Sequence, residues 1–415
     1  MPARFQKHQP GRPLTLHLHP KIMKNQLSDL TIEKIMWRGR GLARLESGKA
    51  VIVEPGVLPG EVIKAEVIKD KKDFVQARAT EIITPSVLRR PHPCPYAVHC
   101  GGCRMGILPA SKALELKKNI LEDTLIRSLR RCMDIAALPS IRTIASPHGW
   151  RYRYRGQIHV RDHQPHFQQL ESNDLVRLKD CRLLVRPLAQ ALTALSAELP
   201  DGRFTVAASP KDLTICSEQE PKIITLPFPE YNMELTLPGD SFFQANWELN
   251  QTLVHLVVQA VSEHERIADL YAGAGNFSLP LAVCGKTLLA MESAPKAVAS
   301  GKKNAQRLGI TNVSFQAHDL SKNMPWESIK AFGPTALILD PPRCGAKNIA
   351  TKILNLPTLT TMAWVSCDVV NTCRDIAPLL QAGWAIQQIT LLDMFPQTWH
   401  METVFILHKK YPPMP

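Results

Sequence analysis

The hydrophobic pattern changes once along the chain, near Gln244. Beyond it, short unbroken apolar runs alternate with longer stretches whose apolar residues recur at helical spacing. Asn246 to Ser262 reads as a helix, and Arg266 to Tyr271 as a strand buried on both faces. Further strands are expected at Thr287–Met291, Val313–Ala317, Ala336–Leu339, Met362–Val365, Ile386–Leu392 and Val404–His408. Helices fall between the first five of these, for example Pro295–Leu308 and Asn371–Gln381. Apolar strands separated by helices predict a doubly wound, mostly parallel α/β sheet, here with a hairpin-like end.

Before Gln244 the runs are shorter. From Leu30 to Ala79 about five short β-rich runs alternate with Gly and Pro turns, the pattern of a small OB-like β-barrel. Ser111 to about Arg131 repeats Leu114, Ile120, Leu121, Leu125 and Leu129 at helical spacing, with Lys117, Lys118, Arg127 and Arg130 read as the other face. Residues 141–240 look β-rich. The expected domains are a basic, poorly ordered tail at 1–27, the barrel at 28–86, a central domain at 87–240 and the α/β domain at 241–415.

Charge sharpens this division. Residues 1–160 hold 28 Lys+Arg against 13 Asp+Glu, and residues 161–415 hold 22 against 24. A basic front on a neutral back predicts a polyanion-binding module joined to a chemical one. Arg38, Arg40, Arg44, Lys64, Lys69, Lys71, Lys72 and Arg78 decorate the barrel. Trp150 to Arg155 interleaves aromatics with arginines, which suits phosphate contact and base stacking. RNA is the expected partner. No apolar run is long enough for a membrane span and no signal core opens the chain, so a cytoplasmic location is expected and no obligate protein partner is evident.

Ten cysteines in such a chain argue for metal or catalysis. Cys94, Cys100 and Cys103 crowd together around Gly101-Gly102, and Cys181 is the strongest candidate for a fourth ligand. Four thiolates fit either zinc or an iron–sulfur cluster. One knuckle with two outlying cysteines favours the cluster, and the order is not that of radical enzymes. Cys132, Cys216, Cys284, Cys344 and Cys373 read as small buried residues.

Acidic residues close successive strands of the α/β domain. Asp269 precedes Gly273 and Gly275, and Glu292, Asp319 and Asp340 end or follow the next three strands. Glycines there let a ligand approach the backbone, and a row of acids suits a cationic nucleoside such as S-adenosylmethionine. Near the C-terminus, Ser366-Cys367-Asp368 follows one strand, and Glu402 stands thirty-five residues after Cys367, next to another. If those strands are neighbours, a thiol nucleophile and a carboxylate base share one pocket.

These residues resemble the RNA uracil-5 methyltransferase family, in particular its type acting on 23S rRNA. The matching stretches are Phe242 to Asn246, Asp269 to Phe277, Asp340-Pro341-Pro342-Arg343, Ser366-Cys367-Asp368, Arg374-Asp375, and Asp393 to Thr398 with His400 and Glu402. The barrel resembles a TRAM domain, and the cysteine set matches too. The resemblance implies a Rossmann-like class I methyltransferase domain behind an N-terminal TRAM barrel and a β-rich central domain. Cys367 would attack C6 of uracil, C5 would take the methyl group of S-adenosylmethionine, and Glu402 would remove the C5 proton. Gln244, Tyr271, Asn276, Glu292, Asp319 and Asp340 would line the cofactor pocket, and Cys94, Cys100, Cys103 and Cys181 would hold a 4Fe–4S cluster. The T-loop uridine of tRNA is the alternative substrate, and an RNA-binding protein with an inactive site the alternative class. The chain departs from the family after Cys367, with Val369 and Asn371 where Pro and Thr are usual, and at Met401.

Overall fold

The structure is a computed structural model that describes residues 26–169, 172–211, 213–216, 222–320, 322, 324–347 and 349–410. The expected basic tail lies outside the described residues, except that Gln26 and Leu27 open the first strand. The chain forms two compact units, one of residues up to 93 with 107–109, the other holding the rest.

The first unit is a six-stranded sheet of β1 (Gln26–Thr31), β2 (Lys34–Ile35), β3 (Gly41–Arg44), β4 (Ala50–Val53), β5 (Val62–Asp70) and β6 (Phe74–Thr84), in the order β1-β5-β6-β4-β3-β2. β1 pairs with β5 while β2, three residues further on, pairs with β3. One continuous segment thus serves both edges of the sheet and closes it, which removes the open strand edges. Strict alternation along β4 and β6 sends Val51, Val53, Val75 and Ala77 inward. Gly41 is required, because a Cβ there would stand 2.6 Å from Val57 Cγ2. At the base, the fully buried Glu61 carboxylate accepts from Leu58 N at 2.8 Å, Ser86 N at 3.2 Å and both Nε and Nη2 of Arg89. Two of the basic residues expected to face RNA also pair with acids from neighbouring strands, Lys64 with Glu81 and Arg78 with Glu54.

The second unit begins with the cysteine-bearing loop and α1 (Ala110–Leu129), followed by β7 (Ile141–Ile144). A five-stranded antiparallel sheet comes next, built from β8 (Arg155–Arg161), β9 (Gln164–Gln168), β10 (Leu175–Arg177), β11 (Gly202–Ala208) and β12 (Leu213–Cys216). Helix α2 (Arg186–Ala197) covers it, with Leu188 and Leu192 buried against Ile158 and Val206. The hairpin β13 (Ile223–Phe228) and β14 (Met233–Pro238) leads into α3 (Trp247–Val261), whose N-cap Asn246 accepts from Leu249 N.

The rest is the doubly wound sheet. It comprises β15 (Arg266–Leu270), α4 (Ser278–Val283), β16 (Thr287–Glu292), α5 (Pro295–Arg307), β17 (Val313–Ala317), α6 (Trp326–Phe332), β18 (Ala336–Leu339), α7 (Ile349–Ile353), β19 (Thr361–Ser366), α8 (Val369–Gln381), β20 (Trp384–Leu392) and β21 (Glu402–Lys409). The order is β17-β16-β15-β18-β19-β21-β20-β7, parallel except that β21 runs antiparallel to both of its neighbours. β18 and β19 are buried throughout, as strands covered by helices on both faces must be. Strand order reverses at β15, so the carboxyl ends of β15 and β18 flank the crevice where such sheets bind ligands. The eighth strand, β7, comes from the segment assigned to the central domain, and joins in parallel beside β20.

Three expectations are corrected here. Lys117 is not on the outer face of its helix. It is fully buried on α1, with Nζ donating to Asp393 Oδ1 at 2.7 Å and to the Phe395 carbonyl at 2.9 Å. Its position, four residues before Leu121, puts it on the apolar stripe, and the distant partner makes the burial possible. Arg151 and Tyr152 do not form a free RNA-facing ladder: Arg151 pairs in bidentate fashion with Asp180, and Tyr152 is buried with its hydroxyl donating to the Pro396 carbonyl. Cys284 and Cys344 are exposed, whereas Cys216 and Cys373 are buried as expected.

Candidate active site

The thiol and the carboxylate meet because two sheet neighbours end together. β19 and β21 pair antiparallel with Ser366 opposite Thr403, so the next residues outward, Cys367 and Glu402, are brought side by side. Asp368 turns the chain into α8 by capping it, accepting from Asn371 N at 3.2 Å. Val369 therefore occupies the first helical position, where proline is favoured but not needed. Next to Cys367, Thr372 Oγ1 donates to Ser366 Oγ at 2.7 Å.

The electrostatics of this corner are one-sided. The Cys367 thiol is pushed up to about 12 by burial, then by Glu402 and Asp340, with Arg343 opposing. Glu402 is almost fully buried, and its Oε1 has no hydrogen-bond partner among the described residues. Burial and then Asp340 raise its carboxyl well above the usual range, and Arg343 again opposes. Asp340, at the carboxyl end of β18, is raised to about 7 by burial and then by Glu292. Arg343 opposes the rise of both Cys367 and Glu402, and its Nη2 lies 3.5 Å from His400 Nε2.

The crevice at the end of β15 continues the acidic field. Asp269 is buried and raised to about 7 by desolvation, although Ser278 Oγ donates to its Oδ2. Its Oδ1 has no partner among the described residues. The following turn takes left-handed backbone at Tyr271, Gly273 and Gly275. A Cβ on Gly275 would sit 2.8 Å from Leu279 Cγ, so only glycine fits. Glu292 Oε2 accepts from Gly273 N at 3.1 Å, fastening that turn to the end of β16. Asn276 exchanges side-chain hydrogen bonds with Asn250 of α3, and Gln244 is buried just ahead of that helix. Asp319 lies in the exposed loop after β17, with Lys322 at 3.5 Å. Asp269 was legible only as part of a motif. An acid inside an otherwise apolar strand was the signal that could have marked it.

The four cysteines gather apart from this corner, in the same unit. Cys103 and Cys181 pack with Tyr152, Leu183 and Trp150, and Cys100 bridges to Gln169. A hydrogen bond from Cys103 lowers the Cys94 thiol to about 6, while that bond, burial and the neighbouring sulfurs of Cys94, Cys100 and Cys181 drive Cys103 upward. None is in a disulfide. Among the described residues no group of three or more His, Cys, Asp or Glu is placed to hold a metal ion.

Comparison with known proteins agrees with this geometry. A Pyrococcus abyssi structure, tRNA (uracil-54, C5)-methyltransferase in complex with S-adenosyl-L-homocysteine, shares the fold with a TM-score of 0.69 at 19% identity, covering 91% of this chain and 100% of that one. Sheet order and crevice define an S-adenosylmethionine-dependent class I methyltransferase fold. A TRAM domain model matches residues 22–80, and the model described as tRNA (uracil-5-)-methyltransferase matches residues 166–410. The chain belongs to that uracil-5 methyltransferase family. Among its relatives, 23S rRNA (uracil(1939)-C(5))-methyltransferase RlmD of Shewanella amazonensis is 30% identical over 427 residues, 90% of this chain and 94% of that protein. The protein of the same name from Pseudomonas fluorescens (strain Pf0-1) is 31% identical over 435 residues, 93% and 92% of the two chains. No helix among the described residues is long and apolar enough to cross a membrane.

Proposed function

We propose that this protein methylates C5 of a uridine in 23S rRNA, with Cys367 as nucleophile and Glu402 as base. The observation that carries the chemistry is the placement of Cys367 beside a buried Glu402 whose Oε1 lacks a partner. Uracil C5 is a weak carbon nucleophile until a thiolate adds at C6. That bond turns C4–C5 into an enolate, and C5 then takes the methyl group. S-adenosylmethionine, when bound, supplies that methyl as an electrophile on a sulfonium. Glu402 removes the C5 proton, the C6–S bond breaks, and Cys367 is released. A buried carboxylate with raised proton affinity is a strong base once ionised. The reacting base must leave any helix to reach this corner, so a flipped or loop uridine is the substrate.

Gln244, Tyr271, Asn276, Glu292, Asp319 and Asp340 line the pocket in this reading, and acids raised by burial and then by neighbouring acids favour a cationic ligand over a neutral one. Cys94, Cys100, Cys103 and Cys181 would hold a 4Fe–4S cluster that ties the 94–103 loop to the segment around Cys181. The assignment to 23S rRNA rests on relatives similar over nine-tenths of both chains. The T-loop uridine of tRNA is the second reading, favoured by the name of the family and of the structural neighbour.

Incubation with S-adenosylmethionine and 5-fluorouridine RNA tests both. Fluorine replaces the proton that Glu402 removes, so the adduct cannot resolve. A trapped adduct with a 23S rRNA fragment, absent in Cys367→Ala, is the expected result. An adduct formed only with tRNA would transfer the substrate to the second reading. No adduct with either would leave an RNA-binding protein. Iron and sulfide bound to anaerobically purified protein, lost on substitution of Cys181, test the cluster against zinc.

A further inference from the structure

One turn of α8, immediately behind the nucleophile, grips the loop that carries Arg343. Asn371, Arg374 and Asp375 lie at i, i+3 and i+4 and share one face of the helix. Asn371 Nδ2 donates to the Arg343 carbonyl at 2.7 Å. Arg374 Nη2 donates to the Cys344 carbonyl at 2.9 Å. Asp375 Oδ2 accepts from Ala346 N at 2.7 Å. The three side chains are bound to one another as well, Arg374 donating to Asn371 Oδ1 at 2.9 Å and to Asp375 Oδ1 at 2.7 Å. Gly345 completes the fit, with left-handed backbone and a Cβ position only 2.3 Å from Asp375 Oδ2.

These contacts leave the loop little freedom relative to the helix. The same helix begins two residues after Cys367, just past its cap Asp368, and the same loop connects Asp340 to Arg343. The grip therefore sets where the Arg343 guanidinium stands with respect to the thiol and to Glu402. We propose that Asn371, with Arg374 and Asp375, is a positioning device that holds Arg343 against the reacting pair. The inference rests on Cys367 being the nucleophile. After burial, the main charges acting on Cys367 are Glu402 on β21, Asp340 and Arg343 on the loop after β18, and Asp368 in its own turn, and the three acids oppose the thiolate. Arg343 favours it. Asn371, where the family usually has Thr, is then a residue through which this chain adjusts the reactivity of its nucleophile.

The test uses the full protein without RNA or cofactor, so it is independent of whether an RNA adduct forms. The alkylation rate of Cys367 by iodoacetamide at pH 8.5 is read by peptide mapping, with the exposed Cys284 as internal reference. Asn371→Ala and Gly345→Ala loosen the grip from opposite sides without changing charge. Each is expected to slow Cys367 about tenfold, the thiolate fraction lost when the thiol rises by one pKa unit, and to leave Cys284 unchanged. Arg343→Ala should slow it as much, and adding Asn371→Ala to it should slow it no further. An unchanged or faster Cys367, equal slowing at Cys284, or multiplied effects in the double variant would overturn the proposal. Asn371 is only half-buried, so its variant stays folded and testable even if the strained Gly345→Ala does not.

Discussion

Two buried acids at opposite ends of the sequence show how burial can serve structure or chemistry. Glu61 in the N-terminal unit accepts four hydrogen bonds, two from backbone amides and two from Arg89. Glu402 is buried almost as deeply, yet its Oε1 accepts none among the described residues, and Asp340 stands near enough to raise it. A buried charge with all its partners holds a fold together. One left short of partners, beside like charge, is destabilising and persists where chemistry needs it. The difference lies in the partners and not in the residue type.

The contrast has measurable consequences. The largest is in catalysis: Glu402→Gln should reduce turnover about 10²–10⁴-fold. Adduct formation at Cys367 should survive, and the melting temperature should stay level or rise because a like-charge contact is gone. A clear fall in melting temperature would make Glu402 structural and break the comparison. Next, Glu61→Ala should destabilise its unit by about 3–5 kcal/mol by stranding Arg89 and two amides. Calorimetry of the full chain would register this as an early transition, with cofactor affinity unaffected. An effect under about 1 kcal/mol would mean that Glu61 is not the keystone its contacts indicate.

The smallest effect is in pH dependence. Asp340 is raised to about 7 in the folded state, against about 3.9 unfolded. Between these values the folded chain holds a proton that the unfolded chain has released, so this group makes stability fall as pH rises through that window. Asp340→Asn removes the dependence. The variant's melting-temperature advantage should be near zero around pH 4 and grow to a few degrees by pH 8. An advantage that is flat with pH would place the proton elsewhere.

Much of the α/β domain was legible in the sequence. The strands from Arg266 to His408 and the acids at their ends were readable because buried parallel strands are short, apolar and bounded by turns, a local pattern. Cys367 and Glu402 were readable as candidates for the same reason, each standing at the end of such a run. Lys117 was misread because local periodicity assigns a lysine to the solvent face, and only Asp393, 276 residues away, reverses that. Arg151 was misread likewise: it looked free for phosphate until Asp180 took it.

What the sequence determined by itself was therefore the alternation of elements and the position of candidate groups at strand ends, since both are written in residue types at short range. Tertiary structure decided which groups meet. The insertion of β21 between β19 and β20 makes Cys367 and Glu402 neighbours, and the closure of the 340–346 loop onto α8 brings Arg343 to them. Proton affinity in such a site depends on burial and on charges a few ångströms away. Neither is a property of any one stretch of chain.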